Sequence, residues 1–289
     1  MIPSSFDYHK AGSVSEAISL LQQYGDDAKI LAGGHSLIPM MKLRLASPVH
    51  LIDINSVNGL EYIKEEGNYL KIGAMTREVS LEHSDVVKSK YPIIFEATKM
   101  IADPQVRNRA TVGGNLAHGD PANDHPAVML ALNAEVAIQG PSGERTVKID
   151  DFFQGFFSTA IGSNEILTEI RVPTPPGKSG GSYLKLERKV GDFATAGVAV
   201  QVTLDGDNCR SIGIGLTNVN STPMRAKRSE DFLRGKPLNE QNIAEAAKMA
   251  AEDCDPAPDL RGDEEYKRAM VKTLTMRALK DAAEKARRG

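Results

Sequence analysis

Two glycine pairs limit the folds open to this chain. The first lies in KILAGGHSLIPMM (29–41) and the second in RATVGGNLAHGD (109–120). In the first, a short apolar run leads into Gly33 and Gly34, and Ser36 stands ahead of LIPMMKLRL, where Pro39 is tolerated only in the first turn of a helix. That order reads as strand, glycine turn and Ser36-capped helix. Such a turn leaves backbone N–H groups unpaired at a positive helix end, a site for an anion such as a pyrophosphate. The second pair offers the same chemistry through Thr111, Gly113, Gly114 and Asn115, with Asp120 and Asp124 as acceptors for hydroxyl or N–H donors. Two such turns suit a long ligand with a diphosphate at its middle. Neither ends in Gly-Lys-Ser/Thr and neither is a G-x-G-x-x-G fingerprint, which argues against a P-loop ATPase and an ordinary Rossmann dehydrogenase. A single Gly-Gly pair is most often a plain turn, so the weight rests on the two together.

The remaining pattern is mixed. Ser13 and Glu16 stand at capping-box spacing before Val14, Ala17, Ile18 and Leu21, with Gly25 just beyond, which predicts a helix. AKILAG and VHLIDI predict strands around the first glycine turn. Further on, YLKIGA is a strand and IIFEATKMIA a helix with Ile93, Ile94, Ala97, Met100 and Ile101 on one stripe. PAVMLAL predicts a short helix, and AEVAIQ, RTVKI and EILTEIRV predict strands, the first two joined by the turn GPSGE. PTPPGKSGGS (173–182) cannot continue a regular element and marks a boundary. Beyond it YLKLERK, AGVAVQVTL and CRSIGIGL predict a three-stranded antiparallel sheet, followed by helices around 242–251 and 263–286 broken at DPAPD. The expected division is an N-terminal α/β part (1–56), a middle mixed α/β part (57–177) and a C-terminal sheet-plus-helix part (178–289).

Composition excludes several classes. A net charge of −3 gives no electrostatic reason to expect nucleic acid. No stretch reaches the roughly 20 apolar residues of a membrane helix. The start MIPSSFDYHK lacks the charged and apolar regions of a leader, and a cytoplasmic address is expected, at the inner membrane face if a complex brings the chain there. Two cysteines, Cys209 and Cys254, make no disulfide framework and fall short of the roughly four thiolates of an iron–sulfur cluster.

AGGHS paired with TVGGN and followed by LAHGDPANDHPAVMLAL closely resembles the FAD-binding medium subunit of molybdenum hydroxylases of the xanthine dehydrogenase type, and within them the branch that oxidises carbon monoxide aerobically. The likeness extends over nearly the whole chain and includes GDFATAGVAV. It implies an α+β architecture with the FAD-binding fold of vanillyl alcohol oxidase (PCMH-type) flavoproteins, the cofactor lying between the first two parts and closed over by the third. On the matching positions it places the FAD contacts at Lys29, Ile30, Leu31, Ala32, Gly33, Gly34, His35 and Ser36, at Thr111, Gly113, Gly114 and Asn115, and at Asp124; Asp120 joins the candidate contacts on its own chemistry. Ile101, Leu167 and Lys185 are further implied contacts. Phe193 stands where relatives often carry a tyrosine beside the isoalloxazine; it can stack but cannot donate a hydrogen bond.

The same resemblance implies the partners: a small subunit with [2Fe-2S] clusters, a large subunit with the molybdenum cofactor, a dimer of heterotrimers, and an external acceptor such as a quinone. The alternatives are the same role in a purine, aldehyde or N-heterocycle hydroxylase, or a self-sufficient flavin oxidase. His118, Asp120, Asp124 and His125 in HGDPANDH also have metal-ligand chemistry, but without a defined ligand spacing no metal site is assigned. His35 reads as a loop donor, Met40 and Met41 as packing, and both cysteines as buried structural thiols. No residue is assigned a catalytic role.

Overall fold

The computed structural model describes residues 2–288. Its N-terminal part carries β1 (Asp7–Lys10), α1 (Val14–Tyr24), β2 (Ala28–Leu31), α2 (Leu37–Leu43) and β3 (His50–Asp53), the strands forming a parallel sheet in the order β1-β3-β2. At the start of α1, Ser13 Oγ accepts the Glu16 N–H at 3.1 Å, while the Glu16 carboxylate accepts the Gly12 N–H at 2.8 Å. The capping box thus closes one residue further out than its usual form. Ala17, Ile18 and Leu21 are buried in one cluster with Ile52 and Ile54. Strand β1 has no sequence expectation behind it, because DYHK is polar and mostly exposed; parallel pairing to β3 and a Tyr8 O–H donated to Asp53 at 2.5 Å hold it instead.

The middle part runs through β4 (Ile63–Glu66), β5 (Tyr69–Gly73), α3 (Glu78–His83), α4 (Asp85–Lys90), α5 (Pro92–Met100), α6 (Pro104–Arg107), α7 (Val112–His118) and α8 (Asp124–Ala131). It continues through β6 (Glu135–Gly140), β7 (Gly143–Lys148), the hairpin strands β8 (Phe153–Gly155) and β9 (Ser158–Thr159), and β10 (Ile166–Pro173). Five antiparallel strands lie in the order β4-β5-β10-β6-β7. Strand β10 sits at the centre of this sheet, and Ile170 and Val172 on it pack with Leu70, Ile72 and Val136. The second glycine pair differs from expectation: Gly113 and Gly114 form the first turn of α7, whose N-cap is Thr111, with Oγ1 accepting the Gly114 N–H at 3.2 Å.

Four antiparallel strands make the C-terminal sheet, β11 (Ser179–Leu186), β12 (Ala196–Asp205), β13 (Asn208–Thr217) and β14 (Met224–Arg225), followed by α9 (Lys227–Leu233), α10 (Glu240–Asp253) and α11 (Glu264–Arg288). The fourth strand corrects the three-stranded expectation; with only two residues it has no alternation to read. SGGS also belongs to β11 and not to the linker, because Ile93 of α5 and Ala282 of α11 press on Gly181 and Gly180. This sheet is covered on both faces. Ile212, Ile214 and Leu216 pack among residues of α9, α10 and α11, whereas the backbone of α8 at Ala131 and Ala127 lies directly on Gly213 and Gly215. IGIGL is therefore an alternating strand with one greasy face and one bare face. Tyr183 and Ala199 enter the core of the middle part, so the C-terminal sheet shares that core.

Cys209 and Cys254 are free and buried, and burial pushes their thiols up to about 11 and about 12. Among the described residues no helix is long and apolar enough to cross a membrane.

Substituting Gly215→Val should separate α8 from β13, since any Cβ there strikes the Ala127 backbone. The expected loss is about 2 kcal/mol or more of unfolding free energy, read from urea denaturation.

Candidate functional site

The two glycine motifs meet because glycine lets main chain touch main chain. Any Cβ on Gly33 would overlap the Arg109 carbonyl, and its site lies 2.9 Å from Ala110 Cα. A Cβ on Gly113 would sit 2.6 Å from the Ala74 carbonyl oxygen. Gly34 adopts φ 79°, the left-handed region that a side chain disfavours. A polar clamp spans the same junction: the Arg77 guanidinium donates to the Arg109 carbonyl and, at 2.6 Å, to Asn55 Oδ1, while Asn55 Nδ2 donates to the Ala32 carbonyl at 2.8 Å. Burial, then the nearby Arg109 charge, hold the Arg77 pKa below its ordinary value.

Between the motifs lies a cavity of ≈ 590 Å³. Of the residues expected at the site, Lys29, Ile30, Ala32, Gly33, Gly34, His35 and Ser36 line it from the first motif. Thr111, Gly113, Gly114, Asn115 and Asp124 line it from the second, and Ile101, Leu167 and Phe193 complete the expected wall. Leu31, Asp120 and Lys185 do not line it. Leu31 lies against the back of the Gly34 turn, Asp120 Oδ1 accepts the Ala122 N–H at 2.9 Å in a local turn, and the Lys185 side chain is buried behind the wall.

Two expectations about donors change. Ser36 makes no side-chain cap; what the first motif presents is a row of main-chain N–H groups, those of Gly33, Gly34, His35, Ser36 and Leu37, which donate to no group among the described residues. The second motif presents no such row. Its N–H groups from Val112 to Asn115 are used by the Thr76 carbonyl, the Ala74 carbonyl, Thr111 Oγ1 and the Thr111 carbonyl. Asn115 instead carries a buried Oδ1 with no partner on a cavity-lining side chain. The asymmetry is physical: a row of free N–H groups is an anion cradle, whereas a satisfied helix start offers shape and one side-chain amide. His35 Nδ1 donates back to the Gly33 carbonyl at 3.1 Å, which stiffens the turn.

A further wall was missed in the sequence. Phe157, Ser158, Thr159, Ile161, Gly162 and Ser163 close one side, and Phe157 packs edge-on to His118 at 4.9 Å between ring centroids. Phe157 and Ala102, both on the cavity, are non-glycine residues at positive φ, 53° and 44°. GFFST has no periodicity to expose it, although adjacent aromatics between strands are a usable hint. Burial lowers the His118 pKa, with Asp120 opposing, which favours the uncharged ring.

The other acidic and imidazole groups of HGDPANDH turn away from one another. Asp124 accepts the Tyr183 O–H at 2.5 Å and the Lys185 ammonium at 3.2 Å. Burial raises the Asp124 pKa even against these two donors, and burial with Asp124 raises that of Tyr183 strongly. His125 Nε2 meets Glu78 at 2.7 Å in a fully buried pair joining α8 to α3. Burial works against the charged imidazole, but Glu78 overrides it and His125 is raised above its ordinary value.

A bare glycine cradle, a row of unpaired N–H groups and an unpartnered amide oxygen fit a dinucleotide with a diphosphate at its centre. Residues 4–175 match the family described as FAD binding domain in molybdopterin dehydrogenase. The chain belongs to that family. Residues 181–282 match the CO dehydrogenase flavoprotein C-terminal domain. The chain is similar to the carbon monoxide dehydrogenase medium chain of Hydrogenophaga pseudoflava, 50% identical and covering 98% of each chain. It is also similar to the glyceraldehyde dehydrogenase medium chain of Sulfolobus acidocaldarius, 41% identical over 98% of this chain and 100% of that one. A solved carbon monoxide dehydrogenase from H. pseudoflava lacking the Mo-pyranopterin moiety superimposes with TM-score 0.97 at 51% identity, covering 99% of both chains. The α+β architecture and the FAD-binding fold expected from the sequence are those of the molecule.

The raised His125 pKa sets a direction for stability. A group whose folded value lies above its unfolded 6.5 stabilises fully below that pH, and the contribution fades as pH rises through the folded value. Urea melts of the wild type and His125→Gln across this range should show the wild-type advantage largest at the acid end and shrinking on the alkaline side.

Proposed function

We propose that this chain is the FAD-bearing electron-transfer subunit of an aerobic carbon monoxide dehydrogenase, a complex that carries out CO + H2O → CO2 + 2 H⁺ + 2 e⁻. The observation that carries the reading is the cradle of free N–H groups facing bare main chain, in a chain half identical over nearly its full length to a carbon monoxide dehydrogenase medium chain. Bound FAD supplies a two-electron store between a one-electron donor and an outside acceptor.

The protein's part is to bind and orient. The N–H groups of Gly33 to Leu37 would hold the diphosphate, and Thr111 to Asn115 would line the adjoining chain, with the free Asn115 Oδ1 available to a hydroxyl. Ile101 and Phe193 bound the ring region as apolar walls, with Leu167 beside them. Phe193 covers by stacking alone. Lys29, Ile30 and Ala32 also line the cavity. No residue is given a proton-transfer role: His118 packs against Phe157, and His125 is buried in its pair with Glu78.

The two thiols of this chain are buried with raised pKa values, so iron–sulfur clusters belong to a partner. The reading therefore includes a small subunit with [2Fe-2S] clusters, a large molybdenum subunit, a dimer of such heterotrimers, and a quinone or similar acceptor. It also includes the three-part division at residues 56 and 177. The likeness to a glyceraldehyde dehydrogenase medium chain makes an aldehyde hydroxylase the second reading, since the substrate is chosen on the large partner.

Purification through a tag on this chain from its native host tests the assignment. Molybdenum, iron and FAD should come down together, and CO should bleach the yellow flavin colour. Bleaching by an aldehyde and not by CO selects the second reading, and a solitary yellow protein turning over substrate without iron or molybdenum overturns both. Gly33→Ala, which pushes the two motifs apart, should weaken FAD retention by about tenfold, or about 1.4 kcal/mol, read as the flavin-to-protein ratio of the complex.

A further inference from the structure

The Lys185 side chain is fully buried on β11, lines no part of the cavity, and touches three stretches of chain that do. Its ammonium donates to the Met100 carbonyl at 2.7 Å, next to Ile101 and Ala102. It donates to the Asp192 carbonyl at 3.1 Å, next to Phe193. The third contact is Asp124 Oδ2 at 3.2 Å, with Glu187 Oε2 at 3.3 Å beside it. An ammonium has three protons and no acceptor, and once buried it cannot surrender these partners to water.

The segment 187–193, which links β11 to β12 and carries Phe193, has little else to hold it against the α5 side. Val190 is 92% exposed and Phe193 49%, so apolar burial does not anchor it. Asp192 is bound at 2.9 Å by Arg188, which lies within the segment, and at 3.0 Å by Arg261 of the C-terminal part, so these pairs hold the segment only to itself and to its own side. Across the junction stand the Lys185 bonds and the backbone of Gly191 resting on Ala102.

We infer that Lys185 is a positioning residue, its side chain a buried latch that fixes the 187–193 strap and its Phe193 against the Ile101 wall, a role separate from any contact with the cofactor. What the strap covers rests on the FAD reading above; the latch itself does not. Losing the latch releases the strap without disturbing the sheet beneath it.

Amide hydrogen exchange of the FAD-free full chain separates these roles, because no cofactor is present. In Lys185→Met, peptides covering 187–193 should exchange about tenfold faster or more, while peptides of β12 and β13 stay at the wild-type rate. Lys185→Met leaves Asp124 buried without its cation, so Lys185→Met/Asp124→Asn restores the charge balance and should show the same strap-confined acceleration. Asp124→Asn alone keeps both carbonyl bonds and should leave the strap slow. Unchanged strap exchange in the double variant overturns the latch, as does weakened FAD binding with an unchanged strap, which would make Lys185 a direct ligand. Unfolding of the charge-balanced double variant overturns it too, by making the lysine a support of the whole fold.

Discussion

Main chain lying on main chain at Gly33 and Arg109–Ala110 is the constraint from which the site follows. Two parts of the chain with separate sheets are brought to van der Waals distance without side chains between them, and the cavity is the space left beside that contact. Backbone contact alone is not directional, and the Arg77–Asn55–Ala32 clamp supplies the direction: Arg77 ties the Arg109 carbonyl to Asn55, and Asn55 reaches both the Ala32 carbonyl and Asp53, so the two motifs hold one register. The row of free N–H groups on the first motif is then aimed at a fixed place instead of at water.

The polar groups behind the cavity follow a different logic from those in front. In front, donors are left free for a ligand. Behind it, Asp124, Tyr183 and Lys185 satisfy one another, and Glu78 pairs with His125, so that charge buried under the wall is balanced locally. Such pairs specify which helix start meets which, and each places the beginning of α8, with Asp124 on the cavity, relative to a different neighbour.

The sequence is most readable where one residue type has one physical use. AKILAG followed by His35 and Ser36 yields strand, turn and helix because Gly34 needs a left-handed φ and Pro39 needs a helix start. The strand IGIGL was found by its alternation, but that its glycines are bare to receive α8 depends on a partner far away in the chain. The second glycine pair read as a turn because glycine disfavours helix; the Thr111 cap and the approach of Ala74 outweigh that preference. The Phe157–Ser163 wall and strand β1 were missed because exposed and irregular segments carry no period. Lys185 was named by resemblance alone, and only the geometry shows that its side chain is buried behind the wall.

The sharing of one core by the middle part and the C-terminal sheet has a consequence for traffic. Tyr183 and Ala199 pack in the core of the middle part, and α8 lies flush on Gly213 and Gly215, so the C-terminal part cannot swing away as a lid without exposing that core to water. The pieces that border the cavity without entering that core are the small ones at its rim, in the 157–163 segment and the 187–193 strap. Any opening of the cavity that spares the shared core has to be local to those pieces, on the scale of a loop and not of a domain.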